Sequence, residues 1–446
     1  MLVHQFYDTD LAHASYAVLR AGQIILVDPA RNPQSYYDFA QLHEADITGV
    51  IETHPHADFV SSHLEIHETT GATIYVSRLL GATYPHQTFD DGDEISLAYI
   101  KLKAMNTPGH SPDSICVLVE DENGTSTALF SGDTLFVGDV GRPDLREDAG
   151  NITAKKEDLA RQMYQSLQGK IMKLPPDVIV YPAHGPGSLC GKNMSADLQS
   201  TIGREMRENY ALQYNDQELF VKELTADQPF APQYFSFDVE LNKQGAPGFV
   251  KSIDAIPRLA NDSTSDNVLI VDTRPKALFN AGHVKHSINL QLQGKFETWL
   301  GAVINSNEPF YIIAEDEIKI ETALARAAKI GYERQIKGTL LPPVSGTDRS
   351  AQLNLDEFKA HSEDYTIIDA RNWNEINAGL FFENALTIPL PELRNRLGEI
   401  PTDKPIVVHC AAGYRSAAAR SILVSKLPNV AVYDLSDYIV EFELVS

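Results

Sequence analysis

The stretch IETHPHADFVSSH, from Ile51 to His63, decides how the first half of this chain folds. It continues an apolar run that is typical of a buried strand, and it places His54, His56 and Asp58 at alternate positions in the loop that follows. Alternate residues of an extended loop project to the same side, so imidazole and carboxylate groups can converge on one ion. The pattern predicts a metal site at the carboxyl end of this strand.

Further loops along the chain carry the same kinds of residue directly after predicted strands. They are TPGHSPD with His110, SGDTLF with Asp133 and YPAHG with His184. A histidine or a Gly-Asp turn that stands alone is usually structural. The ordered set, together with the His54 loop, is specific for a metal centre at one edge of a sheet.

Length, charge and cysteine content limit the possible functions. A chain of 446 residues is long enough for about three domains. Its formal net charge of -24 argues against nucleic acid or an anionic membrane as a partner, because an acidic surface repels phosphates. We find no N-terminal leader pattern and no bilayer-spanning apolar run, so we expect a soluble, cytoplasmic protein. The cysteines suit a reducing compartment, and each is a candidate for chemistry; they are Cys116, Cys190 and Cys410.

Local patterns predict several elements of the first half. Two short apolar runs, Ala14 to Leu19 and Gln23 to Val27, predict a hairpin, and Ser96 to Ala104 predicts one strand. Apolar residues recur every fourth position between Lys155 and Lys173, which indicates an amphipathic helix. The stretch Gln228 to Gly248 is rich in Pro, Gly and aromatics without a settled period, so we interpret it as a connector that lies on the first domain.

The second half of the chain contains an internal repeat. Val268 to Leu290 and Tyr365 to Leu390 share a buried strand that ends in Asp and Arg, a short helix and a second strand. Alternating strands and helices predict parallel α/β sheets, with a connector between the copies at Gly338 to Asn354. The chain is therefore a multidomain α/β protein, with domains predicted at residues 1–248, 249–345 and 346–446.

The His and Asp motifs of the first half resemble those of metallo-β-lactamase fold proteins, which implies an αββα sandwich with metals at one edge. Hydrolases of this fold, such as glyoxalase II, usually carry a second His directly after the Asp, where this chain has Phe59. A phenyl ring cannot ligate a metal. The resemblance leaves His54, His110 and Asp133 for one ion, and two imidazoles with one carboxylate are the ligand set of non-haem Fe(II) oxygenases. We therefore predict one Fe(II) per chain, with zinc as the alternative.

The same resemblance assigns roles to further residues. His56, Asp58 and His184 match positions that ligate metal in the hydrolases, and in mono-iron relatives they surround the site as a vestigial second metal position. Arg142, in GRPDL, matches a residue that holds the substrate, and a guanidinium suits a substrate carboxylate. Cys190, in PGSLCGK, either binds or relays a persulfide at the metal edge or is an incidental small apolar residue.

The segment VVHCAAGYRS, Val407 to Ser416, predicts a reactive thiol. An apolar strand runs into Cys410, and a small-residue loop with Arg415 leads into a helix that is predicted from Ser416 onward. Backbone N–H groups and the positive end of the helix dipole favour a thiolate there. The unit resembles a rhodanese, a sulfurtransferase with a catalytic Cys loop. The first copy of the repeat has Glu315 at the matching position, so it cannot carry sulfur and is interpreted as a scaffold or a binding module.

Taken together, the order of parts resembles the persulfide dioxygenase and rhodanese fusion proteins of bacterial sulfide detoxification. The resemblance implies Fe(II)- and O2-dependent oxidation of a low-molecular-weight thiol persulfide to sulfite, and sulfur transfer at Cys410 and Arg415 with thiosulfate as the joint product. It also leads us to expect a homo-oligomer. Two alternatives stay open: a zinc-dependent thioester hydrolase of the glyoxalase II type with appended rhodanese domains, and a sulfur carrier or interaction protein whose metal is structural.

Overall fold

A computed structural model of the chain describes residues 1–146, 155–260, 264–265, 268–342 and 348–444. The chain divides into two compact units, the first of Met1–Ser252 with Ala328–Gly331 and the second of Ile253–Ala327 with Tyr332–Ser446. The first holds two mixed sheets and the second two parallel sheets, so the predicted multidomain α/β fold class is confirmed. The domain boundaries stay predictions, and the one placed between residues 345 and 346 lies outside the described residues.

The first sheet of the first unit has its strands in sequence order. They are β1 (Leu2–Asp8), β2 (His13–Arg20), β3 (Gln23–Val27), β4 (Asp46–Ile51), β5 (Thr73–Val76) and β6 (Gln87–Thr88). Strands β1 to β3 run antiparallel, and β3 to β6 are parallel. The predicted hairpin is confirmed as β2 and β3, and β4 delivers the loop that carries His54.

The second sheet has the order β12-β11-β10-β9-β8-β7. Its strands are β7 (Glu94–Leu97), β8 (Ile100–Asn106), β9 (Ile115–Glu120), β10 (Ser126–Gly132), β11 (Ile179–Pro182) and β12 (Ser200–Thr201). All neighbours are antiparallel except β10 and β11. The prediction of one strand from Ser96 to Ala104 is wrong, because Ala98 adopts a φ of 52° and turns the chain so that Leu97 pairs with Ile100.

The core of the first unit lies between these two sheets. Tyr16 and Val27 of the first sheet pack in one buried cluster with Val117 and Phe130 of the second. Other clusters cover the outer faces with helices, which gives the αββα sandwich. The helices are α1 (Gln34–Leu42), α2 (His63–Thr70), α3 (Lys156–Gly169), α4 (Ile202–Glu208), α5 (Gln217–Thr225), α6 (Tyr234–Gln244) and α7 (Phe249–Asp254). The predicted helix from Lys155 to Lys173 is α3 followed by a 3-10 turn.

The segment predicted as a connector is more ordered than its composition indicates. It contains α6, an 11-residue helix. Tyr234, Phe235 and Val239 are buried on this helix, so tertiary packing stabilises it where local periodicity is weak. The prediction that the stretch lies on the first domain is confirmed, because α6 belongs to the first unit.

The second unit repeats one four-stranded parallel sheet, in the orders β14-β13-β15-β16 and β18-β17-β19-β20. The strands are β13 (Leu269–Asp272), β14 (Ile288–Asn289), β15 (Phe310–Ile313), β16 (Ile336–Leu340), β17 (Thr366–Asp369), β18 (Leu386–Thr387), β19 (Ile406–His409) and β20 (Val432–Asp434). The helices that follow are α8 (Lys276–Ala281), α9 (Phe296–Val303), α10 (Glu317–Lys329), α11 (Leu355–Ala360), α12 (Trp373–Asn377), α13 (Leu390–Leu393) and α14 (Tyr414–Lys426). Short 3-10 turns lie at Arg78–Leu80, Asp144–Arg146, Ile171–Lys173, Tyr210–Gln213, Tyr332–Arg334, Ser362–Asp364, Leu397–Glu399 and Ser436–Glu441.

The repeat extends to a buried ion pair in each copy. The Arg274 guanidinium binds the Asp272 carboxylate and donates to a carbonyl oxygen eight residues further on, at Gly282. Arg371 does the same with Asp369 and its own downstream glycine. Each Asp is the last residue of the first strand in its copy. The Asp–Arg ion pair therefore holds the loop after that strand in the same conformation in both copies. The tandem repeat predicted from sequence is confirmed.

No helix among the residues that the structure describes has the length and apolar character needed to cross a membrane.

Candidate metal centre

Three loops at the edge of the two sheets bring the predicted ligands together. His54 follows β4, His110 lies between β8 and β9, and Asp133 follows β10. One ligand atom from each residue lies within 4.8 Å of the others. Asp133 Oδ2 is 3.8 Å from His54 Nε2 and 3.5 Å from His110 Nε2. All three side chains are buried, so the geometry is that of two imidazoles and one carboxylate facing a common point.

The second ring nitrogen of each histidine is held by a neighbouring group. His54 Nδ1 lies 3.0 Å from Thr53 Oγ1, and that hydroxyl donates to Asp28 Oδ2 at 2.9 Å. His110 Nδ1 lies 2.9 Å from the carbonyl oxygen of Arg142. A carbonyl can only accept, so His110 carries its proton on Nδ1 and presents a bare Nε2. Such partners fix the ring orientation that a metal ligand needs.

The charge states also suit a metal. Burial holds the pKa of His54 well below its usual value, and burial likewise lowers the pKa of His110, so both rings are neutral near pH 7. Burial alone would raise the pKa of Asp133, but its charge interactions, first with His184 and then with His110 and His54, hold that pKa well below the usual range. Neutral imidazoles and an ionised carboxylate are the forms that bind a divalent cation.

Asp133 provides a direct test of whether a metal fits. Its Oδ1 lies 2.8 Å from His184 Nδ1, whereas Oδ2 is buried and has no hydrogen-bond partner among the described residues. A buried carboxylate oxygen without a partner is costly. Because Oδ2 is also the atom that faces both Nε2 atoms, a cation at this point would satisfy it. The residues therefore fit a metal ion.

A second cluster of ligand atoms lies beside the first. Asp58, His184 and Cys190 each place one ligand atom within 4.8 Å of the other two, and all are buried. His184 Nε2 is 2.9 Å from Asp58 Oδ2. Burial and then the nearby carboxylates raise the pKa of the Cys190 thiol well above its usual value, so this cysteine is protonated in the metal-free chain. The structure thus brings Cys190 to the metal edge, and its role in substrate binding stays a prediction.

His56 does not join either cluster. Its Nε2 lies 3.1 Å from Asp28 Oδ1 and 3.7 Å from Glu52 Oε2, in a third buried group of ligand-type atoms. The prediction that His54, His56 and Asp58 converge on one ion is therefore wrong. The ring centroid of His56 is 4.2 Å from that of His54, but its Nε2 faces the carboxylates of Asp28 and Glu52, at the ends of β3 and β4.

Phe59 occupies the position where hydrolases carry a ligand. Its ring packs on His13 with a centroid separation of 3.8 Å and on His56 with one of 4.3 Å, and its exposed fraction is 1%. The phenyl ring, tilted by 34° and 32° against the two imidazoles, fills this side of the site and offers no lone pair to a second ion. The structure gives Phe59 a packing role between two histidines.

Sequence reasoning missed three residues that hold this centre: Asp28, Thr53 and Asn242. Asp28 directly follows β3 and has a φ of 51°, and an acidic residue after an apolar strand is the same signal that pointed to Asp133. Thr53 could have been found as the neighbour of His54. Asn242 lies on α6, inside the stretch interpreted as a connector, and no sequence signal marks it.

Arg142 lies at the metal centre, but its guanidinium already makes hydrogen bonds within the protein. The guanidinium donates to both carboxylate oxygens of Asp144, at 2.7 Å from Nε and 2.5 Å from Nη2, and Nη1 donates to the Leu189 carbonyl. Its exposed fraction is 2%. The backbone carbonyl of Arg142 orients His110, so the residue touches the metal centre through its main chain. Substrate binding by the side chain stays a prediction.

Cys410 lies where β19 ends, in a loop that curls around its sulfur. Sγ accepts hydrogen bonds from the backbone N–H groups of Gly413, at 3.1 Å, and Ser416, at 3.4 Å. Gly413 has a φ of 82°, which lets the loop turn into α14. The helix begins at Tyr414, two residues before the predicted start at Ser416. Two N–H donors at the start of a helix stabilise negative charge on this sulfur.

Arg415 is held beside the thiol by a carboxylate. Its Nη2 donates to Glu375 Oε1 at 2.7 Å, and Nη1 donates to Glu375 Oε2. Burial would lower the pKa of Arg415, but Glu375 and then Cys410 outweigh it and raise that pKa. The guanidinium is therefore a permanent cation that interacts with the Cys410 sulfur.

The first copy of the repeat has a different loop after its matching strand. The prediction that Glu315 matches Cys410 is wrong, because Ile313 pairs with Asp272 as His409 pairs with Asp369 in the other copy, so the next residue, Ala314, holds the matching position. Glu315 comes one residue later and, with Lys319 and Arg326, lines a cavity of about 220 Å³. Arg326 is committed to Glu297, so the cavity has no unpaired buried guanidinium. The loop has no thiol, and its role as a scaffold or a binding module stays a prediction.

Family models match most of the chain. The metallo-beta-lactamase superfamily model matches residues 8–184, and the rhodanese-like domain model matches residues 256–337 and 354–436. The matches follow the order of parts seen in the structure, a sandwich followed by two parallel sheets.

Two solved structures and one curated protein are similar to this chain over different shares of its length. A metallo-beta-lactamase from Staphylococcus aureus subsp. aureus COL is 34% identical with a TM-score of 0.70, and the similarity covers 77% of this chain and 99% of that one. ETHE1 from Myxococcus xanthus is 25% identical with a TM-score of 0.47, covering 55% and 98%. A hydroxyacylglutathione hydrolase of Francisella tularensis subsp. novicida is 29% identical over 180 residues, or 40% of this chain and 65% of the hydrolase.

Proposed function

Because the chain belongs to the metallo-beta-lactamase superfamily and continues into two rhodanese-like domains, we propose that it is an Fe(II)-dependent persulfide dioxygenase coupled to a rhodanese. It oxidises a low-molecular-weight thiol persulfide to sulfite in the first unit. It moves a sulfane sulfur at Cys410 in the second, and thiosulfate is the joint product. Sulfide detoxification is the corresponding biological role.

The observation that carries the proposal is the ligand set of the first unit. His54, His110 and Asp133 face one point, Asp133 Oδ2 lacks another partner, and Phe59 offers no ligand on the far side. Two imidazoles with one carboxylate are the ligand set of non-haem Fe(II) oxygenases, so these three residues would hold Fe(II), and the bound iron would supply the activation of O2.

The overall oxidation balances as RSSH + O2 + H2O giving RSH, sulfite and two protons. The outer sulfur of the persulfide is oxidised, and O2 is reduced. In this reaction the chain's own side chains position the substrate: Arg142 is proposed to bind a carboxylate of the thiol in exchange for part of its contact with Asp144, and Cys190 to border the persulfide. The backbone carbonyl of Arg142 meanwhile keeps His110 oriented.

The second unit is proposed to transfer sulfur without any redox partner. The Cys410 thiolate attacks the sulfane sulfur of thiosulfate, a new S–S bond forms, and the bond to the sulfonate sulfur breaks with its electron pair leaving on sulfite. The reverse step joins sulfite to a Cys410 persulfide and gives thiosulfate. The N–H groups of Gly413 and Ser416 stabilise the sulfur anion in either direction.

A second candidate function is a zinc-dependent thioester hydrolase with appended rhodanese domains. Two observations favour it: the hydroxyacylglutathione hydrolase relatives, and the Asp58, His184 and Cys190 cluster, which could hold a second ion. A second metal would clamp a hydroxide between two ions, as two-metal hydrolases do. This function needs no O2.

Loading the full chain with either metal separates the two functions. Metal-free protein is reconstituted with Fe(II) under argon or with Zn(II), and each form is assayed for O2 uptake with glutathione persulfide and for hydrolysis of S-lactoylglutathione. The proposal predicts one iron per chain and O2 uptake in the iron form alone. Two zinc ions per chain with thioester hydrolysis would replace it by the second candidate.

A further inference from the structure

The repeat copy that lacks the thiol borders the Cys410 loop of the other copy. The hydroxyl of Tyr414 donates to the carbonyl oxygen of Gln291 at 2.7 Å. The guanidinium of Arg415 lies over the ring of Trp299, 5.7 Å from its centroid. Gln291 and Trp299 both belong to the Cys-less copy, so residues of both copies surround the loop.

The third contact from the Cys-less copy is a cation, Lys276. A methyl group built on Gly413 would lie 2.6 Å from Lys276 Nζ, so the ammonium lies directly over that glycine. The same glycine donates its N–H to Cys410 Sγ at 3.1 Å. Lys276 is the first residue of α8, and its own N–H is fixed by the side chain of Gln291 at 2.9 Å. The ammonium therefore lies at the glycine whose N–H donates to the sulfur, together with the Asp437 carboxylate, whose Oδ1 would lie 2.8 Å from the same methyl group.

The ion pair that Lys276 makes is exchangeable. Nζ donates to Ser436 Oγ at 2.6 Å and to Asp437 Oδ2 at 2.7 Å, and the Asp437 side chain is 73% exposed. Exposed ion pairs contribute little, so an incoming anion can take over part of this contact. Ser436 holds a φ of 53°, a conformation that non-glycine residues rarely adopt, and strain of this kind is concentrated at functional sites.

A cavity of about 570 Å³ beside Lys276 has room for a small dianion. Its charged lining residues are Lys276, Arg420, Asp434 and Asp437, so two cations and two carboxylates share it. Transfer from thiosulfate brings a dianion against a thiolate, and the return step brings sulfite against a persulfide anion. Arg415 interacts with the Cys410 sulfur, but Glu375 binds both of its terminal nitrogens, so a second cation beside the loop would help to offset this repulsion.

We propose that Lys276, contributed by the Cys-less rhodanese-like copy, binds the sulfonate or sulfite group of the anionic sulfur substrate at the Cys410 loop. The inference rests on the proposed sulfur transfer and gives the Cys-less copy a function, the supply of the substrate-binding cation. Asp437 competes with the substrate for the same ammonium, so the pair sets the affinity for sulfur oxoanions.

Two substitutions in the full chain should change KM in opposite directions. Lys276→Met removes the cation and should raise the KM for thiosulfate roughly tenfold, with kcat changed much less, because a charged hydrogen bond to the substrate is lost. Asp437→Asn removes the competitor and should lower the same KM. Lys276→Arg keeps the charge and should restore most of the affinity. Cyanide serves as the sulfur acceptor throughout.

Controls separate binding from structural damage. Lys337→Met, at an exposed lysine on β16 of the same copy, should leave the KM for thiosulfate unchanged. With cysteamine persulfide as donor, which has no sulfonate, Lys276→Met should not raise KM. An unchanged KM for thiosulfate in Lys276→Met or in Asp437→Asn would overturn the inference, as would an equal rise for both donors. A structural role for Lys276 would not predict the opposite effects.

Failure of the proposed function gives a different result. If Cys410→Ser keeps full sulfur transfer, Cys410 is not the transferring thiol, and the proposed role of Lys276 in binding its substrate is wrong as well. If Cys410→Ser abolishes transfer while Lys276→Met leaves the KM for thiosulfate unchanged, the sulfurtransferase stands and the role of Lys276 alone is wrong.

Discussion

The side-chain amide of Asn242 donates to the carbonyl oxygen of His56 at 2.8 Å, although 186 residues separate the two in sequence. The same Nδ2 reaches the Phe59 carbonyl at 2.8 Å, and Oδ1 accepts from the Ser61 N–H at 2.8 Å. One buried amide thus satisfies three backbone groups of the loop that carries His54. Helix α6, after the sandwich in sequence, fixes the shape of the metal loop.

Replacing Asn242 should therefore weaken metal binding, although Asn242 is not itself a predicted ligand. Asn242→Ala leaves buried backbone groups without partners, which costs about 1–3 kcal/mol for each unsatisfied group. We expect a lower free energy of unfolding and weaker iron retention during dialysis against a chelator. Gln244→Ala, on the exposed side of the same helix, is the matched control. Equal iron retention in the two variants would show that the loop keeps its shape without the amide.

Arg142 can be tested together with its ion-pair partner. Arg142→Ala should raise the KM for glutathione persulfide roughly tenfold, since a charged contact to the substrate is lost. Asp144→Asn should lower that KM, because the guanidinium is released for the substrate carboxylate. Iron content should stay the same in both, because His110 is oriented by the backbone carbonyl of Arg142. An unchanged KM in Arg142→Ala would remove the side chain from the substrate site.

The second unit should lose stability in mild acid because of His409. Burial lowers the pKa of this histidine from 6.5 to about 4, and its ring nitrogens have no hydrogen-bond partner among the described residues. Between pH 6.5 and 4 the unfolded chain binds a proton that the folded chain does not, so stability is fully present above pH 6.5 and falls as the pH drops. The loss reaches up to about 3 kcal/mol.

Tryptophan fluorescence can follow this unit by itself. Both tryptophans of the chain, Trp299 and Trp373, lie in the second unit. Denaturant unfolding of His409→Asn should show a flatter pH dependence between pH 6.5 and 4 than the parent chain. His361→Asn removes a histidine whose side chain is 62% exposed and should keep the parent slope. Identical slopes in the parent and His409→Asn would mean that another group titrates.

Residue type and position after predicted strands indicated a metal centre at one edge, whereas the ligand set followed from the resemblance to metallo-β-lactamase fold proteins and stays a prediction. His54 stands after β4 of the first sheet, and His110 and Asp133 stand after β8 and β10 of the second, so the three loops meet where the two sheets pack at one edge of the sandwich. The thiol loop was predictable for the same reason, since Cys410 follows β19. The position of a functional residue that follows a strand can therefore be predicted from the local sequence.

Contacts between distant segments were not predictable in this way. His56 turns to Asp28 and Glu52, and no periodicity within the loop reveals those carboxylates. Asn242 lies on a helix that only packing stabilises. The turn at Ala98 requires a positive φ in a residue that rarely adopts it, so the alternating pattern around it was interpreted as one strand.

Cys410→Ser tests how the two activities divide. Sulfur transfer from thiosulfate should be abolished, because a hydroxyl cannot form a persulfide. O2 uptake with glutathione persulfide should persist, and the product should shift from thiosulfate to sulfite, since the step that joins sulfite to a second sulfane sulfur is lost. O2, sulfite and thiosulfate are measured in one reaction. An unchanged thiosulfate yield would contradict this division and point to Cys190 as the transferring thiol.

The most direct test of the account is O2 uptake by the iron-loaded chain and by its His110→Ala variant. With glutathione persulfide, the parent chain should consume one O2 for each persulfide oxidised. His110→Ala should lose both iron and O2 uptake while sulfur transfer at Cys410 continues, because the ligand lies in the first unit. A variant that keeps its iron and full O2 uptake, or an iron-loaded parent that consumes no O2, would contradict the dioxygenase assignment.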